Sequence, residues 1–471
     1  MNKEAILGRT IKGRLQLFFT FFDSRWEDLN KQNWKTCVYS DFSAGLIVAL
    51  TAIPLAMGFA IAMGMRPEQG IIAGALACAV GRTFGGSKYQ VYGPTAALIP
   101  IVAALYYKYG VASGGSAAQA QGLLVFVSII AGIILLVLGL LGIGKYVKRI
   151  PNSIVIGFTF GIAVAIAFSN LGDILGVKNL KEFLGPDVDQ NSGYIHKLYL
   201  SLSNLHMINW WSVFIGLLTF AITKLLIRIS VLIPAPLIAI SIATLLSATV
   251  LSGKGIILVK DIYGSIPNNF FVFTGPSLPT MSIGLIGNII YFVIAIVFVS
   301  GIESLLCSTM ADKMANNKRT KFNPDKELWG QGWVQIIIPI VNGFPCTGAL
   351  ARTATSIKAG AKTPLAGYFK AILKLALAYY LAQYLELIPM ACIGGILVWV
   401  ASNMVNLAEI IEVEKKGRFE FIMMIYTAVM VPATDFFTGV LSALIIYFTT
   451  KYIYRKQKMS KILRSRKWAK G

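Results

Sequence analysis

Apolar runs of membrane-spanning length alternate with short polar stretches along most of this chain. The first run, DFSAGLIVALTAIPLAMGFAIAMG at residues 41–64, carries a single charge, Asp41, at its start. About 20 mostly apolar residues suffice to cross a bilayer as a helix. Asp41 or Ser43 can cap its first turn, and Pro54 in its middle predicts a kink. The tight turn MRPEQG leads into a Gly- and Ala-rich span at 69–82, whose small residues suit close helix packing in lipid. GSKYQVYG then reads as extended chain, and GPTAA as the start of a short helix with Pro94 at its first position. Further spans are predicted at 121–142, 153–169, 209–228, 231–252, 284–308, 329–341, 364–386, 389–404, 418–432 and 434–452. Polar segments at 170–208 and 253–281 read as external loops.

One stretch breaks the pattern. NGFPCTGALARTATSIKAGAKTP, residues 342–364, is too polar and too interrupted to face lipid. Gly343, Pro345 and Gly348 break it, Thr347, Thr353, Thr355 and Ser356 make it polar, and Arg352 adds a permanent charge. Irregular backbone at membrane depth is tolerated only inside protein or along a cavity. The stretch therefore reads as half of a binding site, a short helix whose N-terminus points at a ligand. With the two short helices included, the chain has about 14 membrane elements, and the third and tenth are both extended segments running into short helices. Seven elements per half, an odd number, makes the halves inverted, and interrupted segments at matching places in two inverted halves point to a transporter site. The expected fold is an all-α polytopic membrane protein, 14 transmembrane elements in two inverted seven-element repeats, with short strands before elements 3 and 10.

Composition agrees. Of 471 residues, 56% are hydrophobic and only 14% charged, where a soluble protein carries about 25% charged residues. The net charge of +22 fits cytoplasmic loops and tails obeying the positive-inside rule. No aromatic-interleaved basic platform suggests a nucleic-acid partner. Residues 1–40 are polar and amphipathic, and suit either a cytoplasmic helix on the membrane surface or an arm packed on the bundle. The tail from Lys451, including residues 453–471, has nine Lys/Arg and no acid, which makes it cytoplasmic and able to meet anionic lipid. An even number of elements puts both termini on the cytoplasmic side. The N-terminus does not read as a cleavable signal peptide. Five scattered cysteines without CxxC read as packing residues, and two histidines in one polar loop form no ligand cluster, so no metal or cofactor is expected. No HExxH or GxSxG motif suggests an enzyme.

Three motifs carry a family resemblance. The 41–64 run is similar to the first-helix signature of the SulP anion transporters (sulfate permeases). FGGSKYQVYGPTAA resembles the start of their third helix, and GIESLLCSTMADKM with NGFPCTGALARTATSIKAGAKTPLAG resembles their longest motif. The resemblance runs from about Asp41 to the last span. It implies a uracil-permease-like fold within 41–452. The core domain would comprise elements 1–4 and 8–11 (about 41–142 and 284–386), and the gate domain elements 5–7 and 12–14 (about 153–252 and 389–452). Most members continue into a cytoplasmic STAS domain; this chain reads as a short member without it.

Helix N-termini attract anions through free N–H groups and the helix dipole. That nominates Thr95 and Ala96 on one side, with Thr347, Gly348, Ala349 and Leu350 on the other. The resemblance adds Phe59 and Leu55 as pocket-lining residues, and Leu55 stands where several members have glutamine. A lone Arg costs about 2.5–3.5 kcal/mol at the centre of a membrane helix, so Arg352 should face a cavity, an anion or a carboxylate such as Glu303. Glu303 is the expected coupling group: desolvation favours its neutral form, and a nearby Arg its charged form. Sodium-coupled bicarbonate members place Asp at this position and Thr four residues later, where this chain has Glu303 and Cys307. A thiol is a poor ligand for a hard cation, which favours a coupling proton over sodium. Asp435 is expected to cap a helix between the last two spans. Together these give a secondary active transporter of a small inorganic anion, sulfate by proton symport, with elevator-like alternating access. The alternatives are a bicarbonate or dicarboxylate transporter, proton- or sodium-coupled, and a passive anion channel or exchanger. The expected setting is the lipid bilayer of a bacterial inner membrane, and the resemblance implies a homodimer.

Overall fold

A computed structural model describes residues 10–29, 33–110, 115–149, 151–177, 203, 205–267, 271–279, 283–434 and 436–468. A short helix, α1 (Ile11–Phe18), precedes the long α2 (Trp34–Ala62) and α3 (Pro67–Phe84). Strand β1 (Tyr92–Gly93) leads through one 3-10 turn into α4 (Ile99–Tyr109), followed by α5 (Ala117–Leu141). Next come α6 (Asn152–Ser169), α7 (Leu171–Leu175), α8 (Trp210–Ile229), α9 (Ala235–Ala248) and α10 (Val259–Tyr263). The second half holds α11 (Ile283–Met314), α12 (Pro324–Ile340), β2 (Thr347–Gly348), α13 (Leu350–Lys358) and α14 (Leu365–Leu385). It closes with α15 (Met390–Met404), α16 (Leu407–Lys416), α17 (Arg418–Ala433) and α18 (Phe436–Trp468).

Local chemistry explains several ends. Ser116 accepts from Gln119 N while Gln119 reaches back, a reciprocal cap that starts α5. Gly142 ends it at φ 76°, a left-handed turn that favours glycine. Asn209 and Asn323 cap α8 and α12 by accepting from the first free N–H groups. Among the described residues, seven helical stretches are long and apolar enough to cross a membrane by length and composition. The chain is thus a helical polytopic membrane protein. One apolar cluster runs through its middle and includes Ile53, Phe59, Tyr92, Leu98, Phe344 and Leu397. Within it α2 packs on α14, α5 on α12, α6 on α17 and α8 on α15.

Several boundaries differ from the sequence expectation. Helix α2 starts at Trp34, so Asp41 does not cap it. Asp41 lies buried in its second turn and accepts from Lys362 N, Thr363 N and the Thr363 hydroxyl, which ties α2 to the turn before α14. Pro94 is not the first residue of a helix; the 3-10 turn starts at Ala96, and Pro100 occupies the first turn of α4. Helix α12 starts at Pro324 rather than 329, which draws Lys326 and Glu327 into the protein. The arm packs on the bundle. Phe18 sits 5.4 Å from the Trp329 ring, and Arg25 donates to Arg82 O and Gly85 O. Asp23 bridges Arg25 and Lys326, each at 2.7 Å. Asp435, most of the 170–208 segment and the last three residues lie outside the described residues.

Candidate functional site

Strands β1 and β2 pair antiparallel, with Tyr92 opposite Gly348 and Gly93 opposite Thr347. Glycine is required on both strands: a Cβ on Gly348 would run into the Gln90 amide, and Gly93 adopts φ 158°. This small ladder brings the two interrupted segments together at the middle of the molecule. Each strand leads at once into a short helical start, Thr95–Ala96 on one side and Ala349–Leu350 on the other. Neither Thr95 nor Ala349 makes a side-chain cap. Uncapped starts leave N–H groups without intrahelical partners, the arrangement that binds anions.

The sequence-nominated residues fall into three groups. Thr95, Ala96, Thr347, Gly348, Ala349 and Arg352 are buried around the ladder. Thr95 donates its hydroxyl to Glu303 Oε2 at 2.9 Å, and Thr347 donates to Ser300 O at 3.2 Å, so both strand ends are tied to α11. The Ala349 N–H is not open to a ligand, because it donates to Val91 O at 2.9 Å. Phe59 and Leu55 are buried in the same apolar cluster as Ala96. Leu350, expected at the site through its backbone N–H, turns its side chain outwards, 46% exposed.

Arg352, on the first turn of α13, is 5% exposed. Its Nη2 donates to Pro94 O, and its Nη1 has no hydrogen-bond partner. Among the described residues it forms no ion pair, so of the expected partners (a cavity, an anion or a carboxylate such as Glu303) the carboxylate is not bonded. A guanidinium keeps its charge under all ordinary conditions. An unpartnered buried arm is therefore a strong donor waiting for an acceptor. Cys307 Sγ lies 3.4 Å from Thr353 Oγ1, which itself accepts from Val91 N at 2.9 Å. Cys307 is thus part of the scaffold under β1.

The sequence reading missed the groups that hold this site in place. Glu327 is fully buried and accepts five hydrogen bonds. Gly86 N and Ser87 N reach Oε2 at 3.0 Å; Gln90 Nε2, Tyr92 OH and Ser304 Oγ reach Oε1 at 2.8, 2.6 and 2.7 Å. It clamps the whole 86–92 segment onto α12 and α11. Gln331 and Gln335 both donate to Cys346 O and fix the other approach. On α14, Lys370 and Lys374 are buried as completely as any apolar residue. The available signal was two lysines four residues apart inside an apolar span, which places both on one face. An open cavity of about 480 Å³ lies away from the ladder, along the end of α11 from Leu305 and Thr309 to Asp312 and Lys313.

A model of the sulfate permease family matches residues 38–427, most of the chain and both halves of this site. The chain belongs to the sulfate permease family. The putative sulfate transporter YvdB of Bacillus subtilis is 30% identical over 441 residues, 94% of this chain and 78% of that protein. The bicarbonate transporter BicA of Picosynechococcus sp. is 26% identical over 402 residues, 84% of this chain and 67% of that protein. The fold of this sulfate permease family member resembles the transmembrane domain of a cyanobacterial BicA, with a TM-score of 0.71 at 22% identity over 86% of this chain and 97% of that one. It also resembles the murine Slc26a9 anion transporter in the inward-facing state, with a TM-score of 0.76 at 15% identity over 96% and 72%. Membership makes the chain an anion transporter, not an enzyme.

Proposed function

We propose that this chain is a secondary active transporter that moves sulfate across the bacterial inner membrane by proton symport. The observation that carries the reading is the ladder-joined pair of uncapped helix starts, with the unpartnered Nη1 of Arg352 buried beside them. Two positive backbone ends and one guanidinium offset the desolvation of an anion. Thr95, Ala96, Thr347, Gly348, the backbone of Leu350 and Arg352 hold the anion, while Phe59 and Leu55 close the pocket. Glu303, linked to the site through Thr95, carries the coupling proton. The 14 elements form two inverted sevens, and the core domain travels past the gate domain with its cargo. The cavity beyond Glu303 along α11 is its inner vestibule, both termini are cytoplasmic, and the protein works as a homodimer.

Bicarbonate is the second reading, supported by the match to BicA. Sodium coupling fits it less well here, since Cys307 is engaged with Thr353 and offers sulfur to a cation that prefers oxygen. The deciding experiment is uptake of radiolabelled sulfate, bicarbonate and fumarate into proteoliposomes, with and without an imposed pH gradient. Gradient-driven sulfate uptake is expected. Sulfate uptake indifferent to the gradient overturns symport, and uptake of bicarbonate alone overturns the substrate.

A further inference from the structure

Lys370 and Lys374 lie four residues apart on α14, with 1% and 0% of their surface exposed. Lys370 Nζ donates to Gly74 O and Tyr92 O, both at 2.9 Å. Lys374 Nζ donates to Gly70 O at 3.4 Å. The Arg352 guanidinium closes the group from the other side through Pro94 O. Gly74 and Gly93 make room for this. A Cβ on Gly74 would run into Lys374 Nζ and lie 3.2 Å from Pro94, and one on Gly93 would lie 3.0 Å from Arg352 Nη1. Three basic side chains thus surround Gly93–Pro94, directly before the Thr95 helix start. Among the described residues none of the three belongs to an ion pair. Holding all three protonated without a counter-charge is costly; backbone carbonyls answer only part of that cost, and a bound anion would supply the rest. Arg352 Nη1 is buried beside Gly93 and has no hydrogen-bond partner.

We propose that Lys370 and Lys374, acting with Arg352, set the charge of the accepted anion, so that the site takes doubly charged oxyanions in preference to singly charged ones. This rests on the reading that the anion sits between the two helix starts. The lysines are specificity-determining residues acting through the field and the backbone, since their ammonium groups are held on carbonyls of α3 and β1. Coulomb energy scales with the product of the charges. Each cation therefore gives a dianion twice the stabilisation it gives a monoanion. If removing one lysine charge weakens a monoanion about three-fold, it weakens a dianion about ten-fold, because the energies double and the factors multiply. A purely structural role would weaken both by the same factor.

The test measures binding of radiolabelled sulfate to the purified full chain, displaced by unlabelled selenate or by perchlorate. These are tetrahedral oxyanions of similar shape that differ in charge. In the wild type, selenate is expected to displace at lower concentration than perchlorate. In Lys370→Met and in Lys374→Met the selenate constant should rise by about the square of the factor seen for perchlorate. Lys374→Arg keeps the charge and should keep the selenate preference. Equal loss for both anions, or a wild type that perchlorate displaces as well as selenate does, overturns the proposal; the wild-type comparison decides even where a variant fails to fold. A chain that binds no sulfate yet still takes up bicarbonate also overturns it and leaves anion transport standing. Selective sulfate binding without sulfate uptake upholds it and removes the sulfate-symport reading instead.

Discussion

The Thr95 hydroxyl donates to Glu303 Oε2 at 2.9 Å, so the residue that opens one short helix also touches the acid on α11. Thr95 thus links Glu303 to the start of the short helix, and among the described residues Glu303 forms no ion pair with Arg352. A single proton on Glu303 therefore alters the electrostatics of the place where the anion is proposed to sit.

Glu303→Gln should leave the fold intact, because the amide oxygen can still accept from Thr95. It should abolish the response of sulfate uptake to an imposed pH gradient, read as radiolabel uptake at equal and unequal pH. A passive pathway would leave uptake in the variant as it was.

Arg352→Ala should lower sulfate uptake by about ten-fold or more, corresponding to at least about 1.4 kcal/mol. Arg352→Lys should recover only part, since one ammonium replaces a forked group that reaches Pro94 O and, as proposed, the anion. Initial rates in proteoliposomes check both, with thermal melting in detergent as the control for folding. Unchanged rates in Arg352→Ala would remove this residue from the site.

Glu327→Ala should damage the protein rather than its selectivity. Five donors that converge on one carboxylate would lose their acceptor in a dry interior. Each unsatisfied donor costs about 1–3 kcal/mol, so a loss of several kcal/mol and a strongly lowered melting temperature are expected. Glu327→Gln, which still accepts, should be milder. A melt of the alanine variant that matches the wild type would show that the clamp does not hold the fold.

The N-terminal arm should release in acid. Burial raises the pKa of Asp23, but the Arg25 and Lys326 charges and hydrogen bonds more than offset it and hold its carboxyl below the usual range. A lowered folded-state pKa gives stability that is complete above the ordinary Asp value of about 4 and is lost as pH falls through the lowered value. Protease sensitivity of residues 10–29 should therefore rise below about pH 4, and Asp23→Asn should show that sensitivity already at neutral pH. Resistance unchanged by acid and by the substitution would show that packing of Phe18 on Trp329 alone fixes the arm.

Much of this architecture could be read from residues in order. Apolar runs separated by polar turns locate the helices, though α2 starts at Trp34 and not at 41 and α18 runs to Trp468 and not to 452, and a broken polar run containing Arg352 has few uses inside a membrane except at a site. What escaped reading depends on partners far away in the chain. Glu327 follows NPDK and looks like the edge of a loop; its burial comes from residues 86–92 and Ser304. Asp41 looks like a helix cap, but its acceptor role is towards Thr363. Lys370 and Lys374 are tolerated by any hydropathy average, and only the carbonyls of Gly70, Gly74 and Tyr92 show why they are not at a surface.

The two-residue ladder between Tyr92–Gly93 and Thr347–Gly348 has a mechanical consequence. It joins the two helix starts into one piece, so in the proposed alternating-access cycle opening to either side need not separate the groups proposed to hold the anion. Intrinsic affinity should then be nearly equal from the two faces of the membrane. Sensitivity to bilayer thickness should appear in turnover, where the core domain is proposed to slide past the gate domain, and not in the dissociation constant. Reconstitution into thin and thick phosphatidylcholine bilayers would separate the two quantities.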